Sequence, residues 1–225
     1  MEWRLLDRAT AFRFVMPTLF RKKILITVVL AVTWTAALAL GARVLFRYET
    51  TPGRVGMVSS SWPVESIVPR PAGKPSLLML AHPHCPCTRA SIAELAEIMA
   101  HGVGKVNAYV LFVKPAGSDA DWDDTDLRRS AAAIPGVTVI TDEQGMEAAR
   151  FGGKTSGHTL IFDATGKLLF SGGITASRGH IGNNAGKTAV LAAVKQQPLA
   201  RTQTPVFGCA LEKRNSLEDG GKCSN

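Results

Sequence analysis

The chain has 225 residues, of which 46% are hydrophobic and 20% charged, with a formal net charge of +8. That length suits one domain of ordinary size with appendages. The charge is uneven: residues 1–54 carry nine basic and three acidic side chains, and residues 55–225 carry seventeen and fifteen. The basicity belongs mainly to the amino-terminal region, which argues against a polynucleotide-binding face; no nucleic-acid partner is expected.

In chain order, residues 1–23 are expected to be a cytoplasmic amino terminus. Residues 24–46 are expected to be a transmembrane anchor, because Ile24 to Ala42 runs nineteen residues without a charge. Such a run spans a bilayer core of ~30 Å as a helix rising ~1.5 Å per residue. Six basic residues precede it (Arg4, Arg8, Arg13, Arg21, Lys22, Lys23), and three follow closely (Arg43, Arg47, Arg54). That asymmetry predicts a single-pass inner-membrane protein with its carboxy-terminal domain in the periplasm. A cleaved signal peptide is the alternative, since Ala37-Leu38-Ala39 and Leu40-Gly41-Ala42 resemble cleavage sites. The apolar run exceeds the usual signal core of ~7–15 residues, which favours the anchor.

Residues 47–75, rich in proline and glycine, read as a linker, with an edge strand from Trp62 to Val68 as the alternative. A regular domain is expected over residues 76–198. Leu77–Ala81 is a short apolar strand, Ser91–Met99 a helix and Val106–Val113 a strand. Asp123–Ala133 reads as a helix, Val137–Thr141 as a strand, and Gln144–Phe151 as a helix ended by Gly152-Gly153. Thr159–Phe162 and Lys167–Phe170 form a hairpin, and Asn183–Gln197 a last helix. The order βαβαβαββα predicts an α/β sandwich. Residues 199–225 read as a polar tail able to pack back through Val206, Phe207 and Leu211.

The chemistry concentrates in His82-Pro83-His84-Cys85-Pro86-Cys87, between the first strand and the first helix of the domain. Proline favours the first helical position, so Pro86 there makes Cys85 the N-cap and Cys87 the second helical residue. Amide donors and the helix dipole then favour thiolates. The tail cysteines, Cys209 and Cys223, would close a fifteen-residue loop worth ~3 kcal/mol if bonded. Alternatively, Cys209 folds back as a resolving thiol for Cys85 or Cys87. The aspartates between Asp119 and Asp126 lack calcium-loop spacing and read as a solvated helix start.

A strand running into a cysteine pair at a helix start, then a later strand, hairpin and final helix, resembles the thioredoxin-like superfamily. The likeness is greatest to membrane-anchored exported members of the TlpA- and peroxiredoxin-like branch, including a group labelled RedB-like. It covers about residues 76–197 and implies a thioredoxin-like sandwich with an amino-terminal transmembrane helix. It further implies thiol–disulfide exchange, with Cys85 attacking, Cys87 resolving through a Cys85–Cys87 disulfide, and His158 lining the site. Two departures stand out: one residue, not two, separates the cysteines, and His158 occupies the family's cis-proline position. The small Cys-x-Cys ring favours a readily reduced bond, suited to an oxidant or isomerase. The resemblance also places Arg178 and His180 beside the cysteines, where they could bind an anionic or thiol partner.

The expected partners are exported protein thiols or disulfides, or a membrane redox partner, with no cofactor. The alternative is copper binding or delivery, drawing ligands from His84, Cys85, Cys87 and His158. A non-catalytic interaction module on the same fold is a further alternative.

Overall fold

The computed structural model describes residues 18–211. The chain divides into two compact units between Phe46 and Arg47. The first is formed by helix α1 (Thr18–Thr50), whose last turn enters the second unit. Its stretch from Phe20 to Thr50 has a mean hydropathy of 2.3 and is long and apolar enough to cross a membrane. The hydroxyls of Thr27, Thr33 and Thr35 donate back to the carbonyls of Lys23, Val29 and Ala31 at 2.8–3.0 Å. They therefore present no unsatisfied donor to an apolar surrounding.

The second unit is built on a five-stranded sheet. Its elements are β1 (Ser76–Ala81), α2 (Thr88–Gly102), β2 (Asn107–Lys114), α3 (Asp126–Ala132) and β3 (Val137–Glu143). They continue as α4 (Met146–Arg150), β4 (His158–Phe162), β5 (Leu168–Gly173) and α5 (Ala185–Val194). The strand order is β3-β2-β1-β4-β5; β1, β2 and β3 are parallel, and β4 runs antiparallel to both β1 and β5. The βαβαβαββα order read from the sequence is the observed one.

β1 is central and wholly buried, which explains its unbroken apolar run. Leu77, Met79 and Ala81 join the core beneath α2, α3 and α5, with Leu95, Ile98, Leu127 and Val190. Leu78 and Leu80 point the other way, to a second core with Leu111, Phe151, Leu160 and Phe162.

That second face explains why residues 47–75 are not a free linker. The five-residue α4 is too short to cover it, so the chain on either side of the domain does so. Val68 and Leu211 are buried there, and Trp62 stacks edge-on against Phe151 and Phe162, with ring centroids at 5.0 and 5.1 Å. Each such aromatic pair contributes ~0.5–1.5 kcal/mol beyond its burial. Near Trp62, only the single bridge Ser61–Lys167 joins the sheet; a full edge strand does not form. The buried Glu147 carboxylate accepts from Ser66 Oγ and ties the same segment to α4.

The tail returns along β5. Ser171 N donates to Thr202 O at 3.0 Å and Gly173 N to Pro205 O at 3.2 Å, while Val206 is fully buried. Of the three residues expected to pack the tail back, Val206 and Leu211 are buried and Phe207 is half-buried.

Candidate functional site: a three-thiol cluster

After β1 the backbone turns sharply, with Cys85 N donating to His82 O at 3.2 Å. Thr88 N then donates to Cys85 O at 3.0 Å and Arg89 N to Pro86 O at 3.3 Å, an i→i+3 turn that leads into α2. The helix thus starts a few residues later than Pro86 suggested: Cys87, not Cys85, is the N-cap, already with helical angles (φ −67°, ψ −26°). Tight i→i+3 turns at helix starts shift the boundary in this way.

The loop before β4 pins both ends of that turn. Ser156 Oγ accepts from His82 N at 2.8 Å and shares a hydrogen bond with Thr88 Oγ1 at 2.6 Å. Gly157 N donates to Leu80 O at 2.7 Å. Gly157 has φ +85°, and a Cβ there would meet Ser91 Oγ at 2.7 Å, so a side chain is excluded on two counts.

The tail lies against the other edge of this loop. Ser156 N donates to Cys209 O at 2.8 Å and Leu211 N to Lys154 O at 3.1 Å, with an antiparallel bridge between Thr155 and Ala210. Gly208 permits the approach: a Cβ there would stand 2.0 Å from Ser156 O. Arg178 secures it, donating to Tyr48 O at 3.0 Å, Thr51 O at 3.3 Å and also to Gly208 O.

The result is a cluster not assembled by the hexapeptide alone. The sulfurs of Cys85, Cys87 and Cys209 all lie within 4.8 Å of one another. The Cys85 and Cys209 sulfurs lie 2.8 Å apart, within hydrogen-bonding distance, and Cys209 N donates to the Cys85 sulfur at 3.4 Å. Cys85 and Cys87 are buried, and Cys209 is half-buried. Three thiols this close cannot all ionise together, because each thiolate opposes a charge on its neighbours. Donation from the Cys209 thiol, then from Cys87, Thr88 and the Cys209 amide, holds the Cys85 thiol far below its ordinary range despite burial. The hydrogen bond to Cys85 correspondingly pushes Cys209 up. Cys87 is also pushed up: its hydrogen bond with Cys209 works to lower it, but the bond to Cys85, burial and the charge on Cys85 prevail. Beside Cys85 opens a shallow groove of about 250 Å³, bordered by Pro83, His84, Pro86, Arg89 and Asp126.

The other candidates lie elsewhere. His84 is exposed; its Nε2 meets Trp122 O at 2.9 Å, and its ring packs 4.4 Å from the Trp122 ring. His158 shares one face of β4 with Leu160 and Phe162, so its ring faces the second core, on the sheet face away from α2. It is fully buried, Nε2 lies 2.8 Å from Ser171 Oγ, and Nδ1 has no hydrogen-bond partner among the described residues. Burial pushes its pKa down to about 4, so the ring is neutral. The backbone next to His158 touches the cysteine turn; its imidazole does not join the cluster. Of the proposed copper ligands, then, only Cys85 and Cys87 meet, and Cys209 is the third soft donor beside them. Three thiolates are a donor set for a soft ion such as Cu(I).

Arg178 is engaged with backbone carbonyls, and the exposed His180 bonds to Arg178 O. Neither is arranged to receive an anion; Arg178 places Cys209. Within the aspartate run, Asp123 pairs with Arg128 at 2.7 Å, Asp124 with Arg129 at 2.6 Å, and Asp126 with Arg89. The expected Cys209–Cys223 pair has one partner outside the described residues. Ser156 and Gly208 carried no signal of their own in the sequence. The apolar pair Val206-Phe207, just before Cys209, was the cue that the tail packs back.

The sequence matches no protein-family model and no curated protein. Solved structures do resemble it. A conserved uncharacterised protein from Geobacillus kaustophilus aligns at 17% identity, covering 74% of this chain and 94% of its own, with a TM-score of 0.54. A hypothetical protein from Sinorhizobium meliloti aligns at 16% identity over 72% of this chain and 96% of its own, TM-score 0.51. A pneumococcal exposed lipoprotein thioredoxin from Streptococcus pneumoniae aligns more loosely, at 20% identity over 55% of this chain and 85% of its own, TM-score 0.41. The mixed sheet, with its cysteine turn running from β1 into α2 and the β4–β5 hairpin leading to α5, is a thioredoxin-like fold.

Proposed function

We propose that this protein is a membrane-anchored, exported thiol–disulfide exchange protein in which Cys85 is the attacking thiolate. The observation that carries this reading is the Cys85 sulfur, set in the turn before α2, hydrogen-bonded by a neighbouring thiol and an amide, and bordered by a groove. A thiolate is the form that attacks a disulfide sulfur, and donors that stabilise it keep it populated at neutral pH. The groove gives a partner a place to dock beside Cys85, whose side chain is itself buried. Exported protein thiols or disulfides, or a membrane redox partner, fit this chemistry without a cofactor.

The charge asymmetry about the apolar helix supports an amino terminus in the cytoplasm and a domain in the periplasm, anchored in the inner membrane. The Cys-Pro-Cys turn combined with that anchor favours the TlpA-like, RedB-like branch of thioredoxin-like proteins.

The test is turnover of a disulfide-linked reporter peptide by the full chain in detergent micelles, with a dithiol as reductant. Exchange is expected in the wild type and lost in Cys85→Ser. A Cys85→Ser protein that retains wild-type turnover contradicts the assignment.

The three-sulfur cluster also favours a second reading, Cu(I) binding or delivery. Metal analysis of the full chain purified under reducing conditions separates the two. One tightly held copper per chain, lost in Cys209→Ser, supports the second reading; metal-free protein that turns over the reporter supports the first.

A further inference from the structure

We propose that Cys209, not Cys87, is the thiol that resolves the mixed disulfide formed at Cys85, so that the tail supplies half of the redox pair. This rests on the exchange reading and specifies its second step.

Three observations carry it. The Cys209 sulfur is 2.8 Å from Cys85 Sγ, against ~2.05 Å for a disulfide, so closing the bond takes less than an ångström of movement. The position of Cys209 is also built, because the chain is held on both sides of it. Gly208 O is gripped by Arg178, Cys209 O by Ser156 N and Leu211 N by Lys154 O, with Val206 and Leu211 buried as anchors. Finally, the turn that places Cys87 works against a Cys85–Cys87 bond. A disulfide between cysteines only two residues apart closes a small, strained ring. Joining them would strain the turn closed by Thr88 N and Cys85 O.

The chemistry balances as two displacements. The Cys85 thiolate attacks a substrate disulfide; a Cys85–sulfur bond forms, the substrate S–S bond breaks, and one substrate sulfur leaves with the electron pair and takes a proton from water. Cys209 then attacks the Cys85 sulfur. The Cys85–Cys209 bond forms, the second substrate sulfur departs with its electron pair, and the proton of Cys209 goes to that departing thiolate. The substrate has gained two electrons and two protons; the Cys85/Cys209 pair has lost two electrons and the Cys209 proton, and water has supplied the second proton. An exported dithiol reductant reverses the process and returns the pair to the reduced state. Cys87 remains a thiol throughout, donating to Cys85.

The test uses the full chain in detergent micelles, reduced and then mixed with oxidised glutathione. Samples are quenched by alkylation and read by intact mass and peptide mapping. In Cys209→Ser the glutathione adduct on Cys85 is expected to accumulate and to decay about a hundredfold more slowly than in the wild type, since an intramolecular attacker is lost. In Cys87→Ser the adduct should stay transient and a Cys85–Cys209 bond appear. Arg178→Gln, which keeps all three thiols but releases Gly208 O, should slow resolution without blocking adduct formation. A Cys209→Ser protein that resolves at the wild-type rate, with the adduct persisting in Cys87→Ser instead, overturns the inference and leaves the exchange reading standing. No adduct on Cys85 in any variant overturns the exchange reading and this inference with it.

Discussion

The sulfurs of Cys85 and Cys209 lie 2.8 Å apart although 124 residues separate them in the chain. Everything between them serves to bring them together: the central strand delivers Cys85, the loop before β4 holds its turn, and the tail comes back across that loop. A motif confined to six residues in sequence is therefore a site of three segments in space. The consequences are measurable in reactivity and in stability.

The acidity of Cys85 depends on a donor from the tail. In Cys209→Ala that donor is gone, the Cys85 pKa rises, and the thiolate fraction at pH 6 falls. Alkylation of Cys85 by iodoacetamide at pH 6 should slow by about tenfold or more, with a smaller difference at higher pH, where the thiolate fraction of the variant recovers. Equal rates at pH 6 in the two proteins would show that Cys209 is not the donor that matters.

His158 makes folding sensitive to acid. Its pKa is pushed from 6.5 down to about 4 by burial. Between those values the unfolded chain binds a proton that the folded chain does not, so stability falls as pH drops through that window. The full shift corresponds to about 3 kcal/mol. Chemical unfolding followed by tryptophan fluorescence should show that loss between pH 7 and pH 4, and a shallower slope in His158→Gln. Because the ring lies away from the sulfurs, His158→Gln is also expected to keep most of the exchange activity.

Gly208→Ala would put a methyl group where only 2.0 Å separates it from Ser156 O. The tail must lift, at a cost of about 1–3 kcal/mol. Thermal unfolding should register that loss, and resolution of the Cys85 adduct should slow while its formation is retained.

Trp62 covers the sheet face that α4 leaves open. Trp62→Ala removes two edge-on aromatic contacts and should cost about 2–4 kcal/mol. Limited proteolysis should then cut within residues 52–70 faster than in the wild type.

The layout of the domain was legible because hydrophobic period and burial agree there. Leu77–Ala81 is apolar throughout because both of its faces are covered, and Asp163 to Gly166 marks the hairpin turn. The packing of residues 47–75 is hidden for a physical reason: Val58, Trp62 and Val68, which meet the second core, are widely spaced among the exposed Val55, Met57, Val64 and Ile67 and show no period. For the site, Cys85 and Cys87 stood out by local density. Cys209 surfaced only as an alternative, since a contact across 124 residues leaves no spacing to read. The resemblance sets His158 at the cis-proline position beside the cysteines, but side chains alternate along a strand, and its ring falls on the far face. Arg178 was expected to meet a ligand and instead holds a carbonyl of its own chain.

The most direct test is redox titration of the full chain in glutathione buffers, with alkylation and disulfide mapping at each point. The account predicts one reversible two-electron transition in which Cys85 and Cys209 pass together from thiols to a disulfide, with Cys87 alkylated throughout. Cys85 remaining alkylatable across the whole range, with no reversible bond to any cysteine, would contradict it.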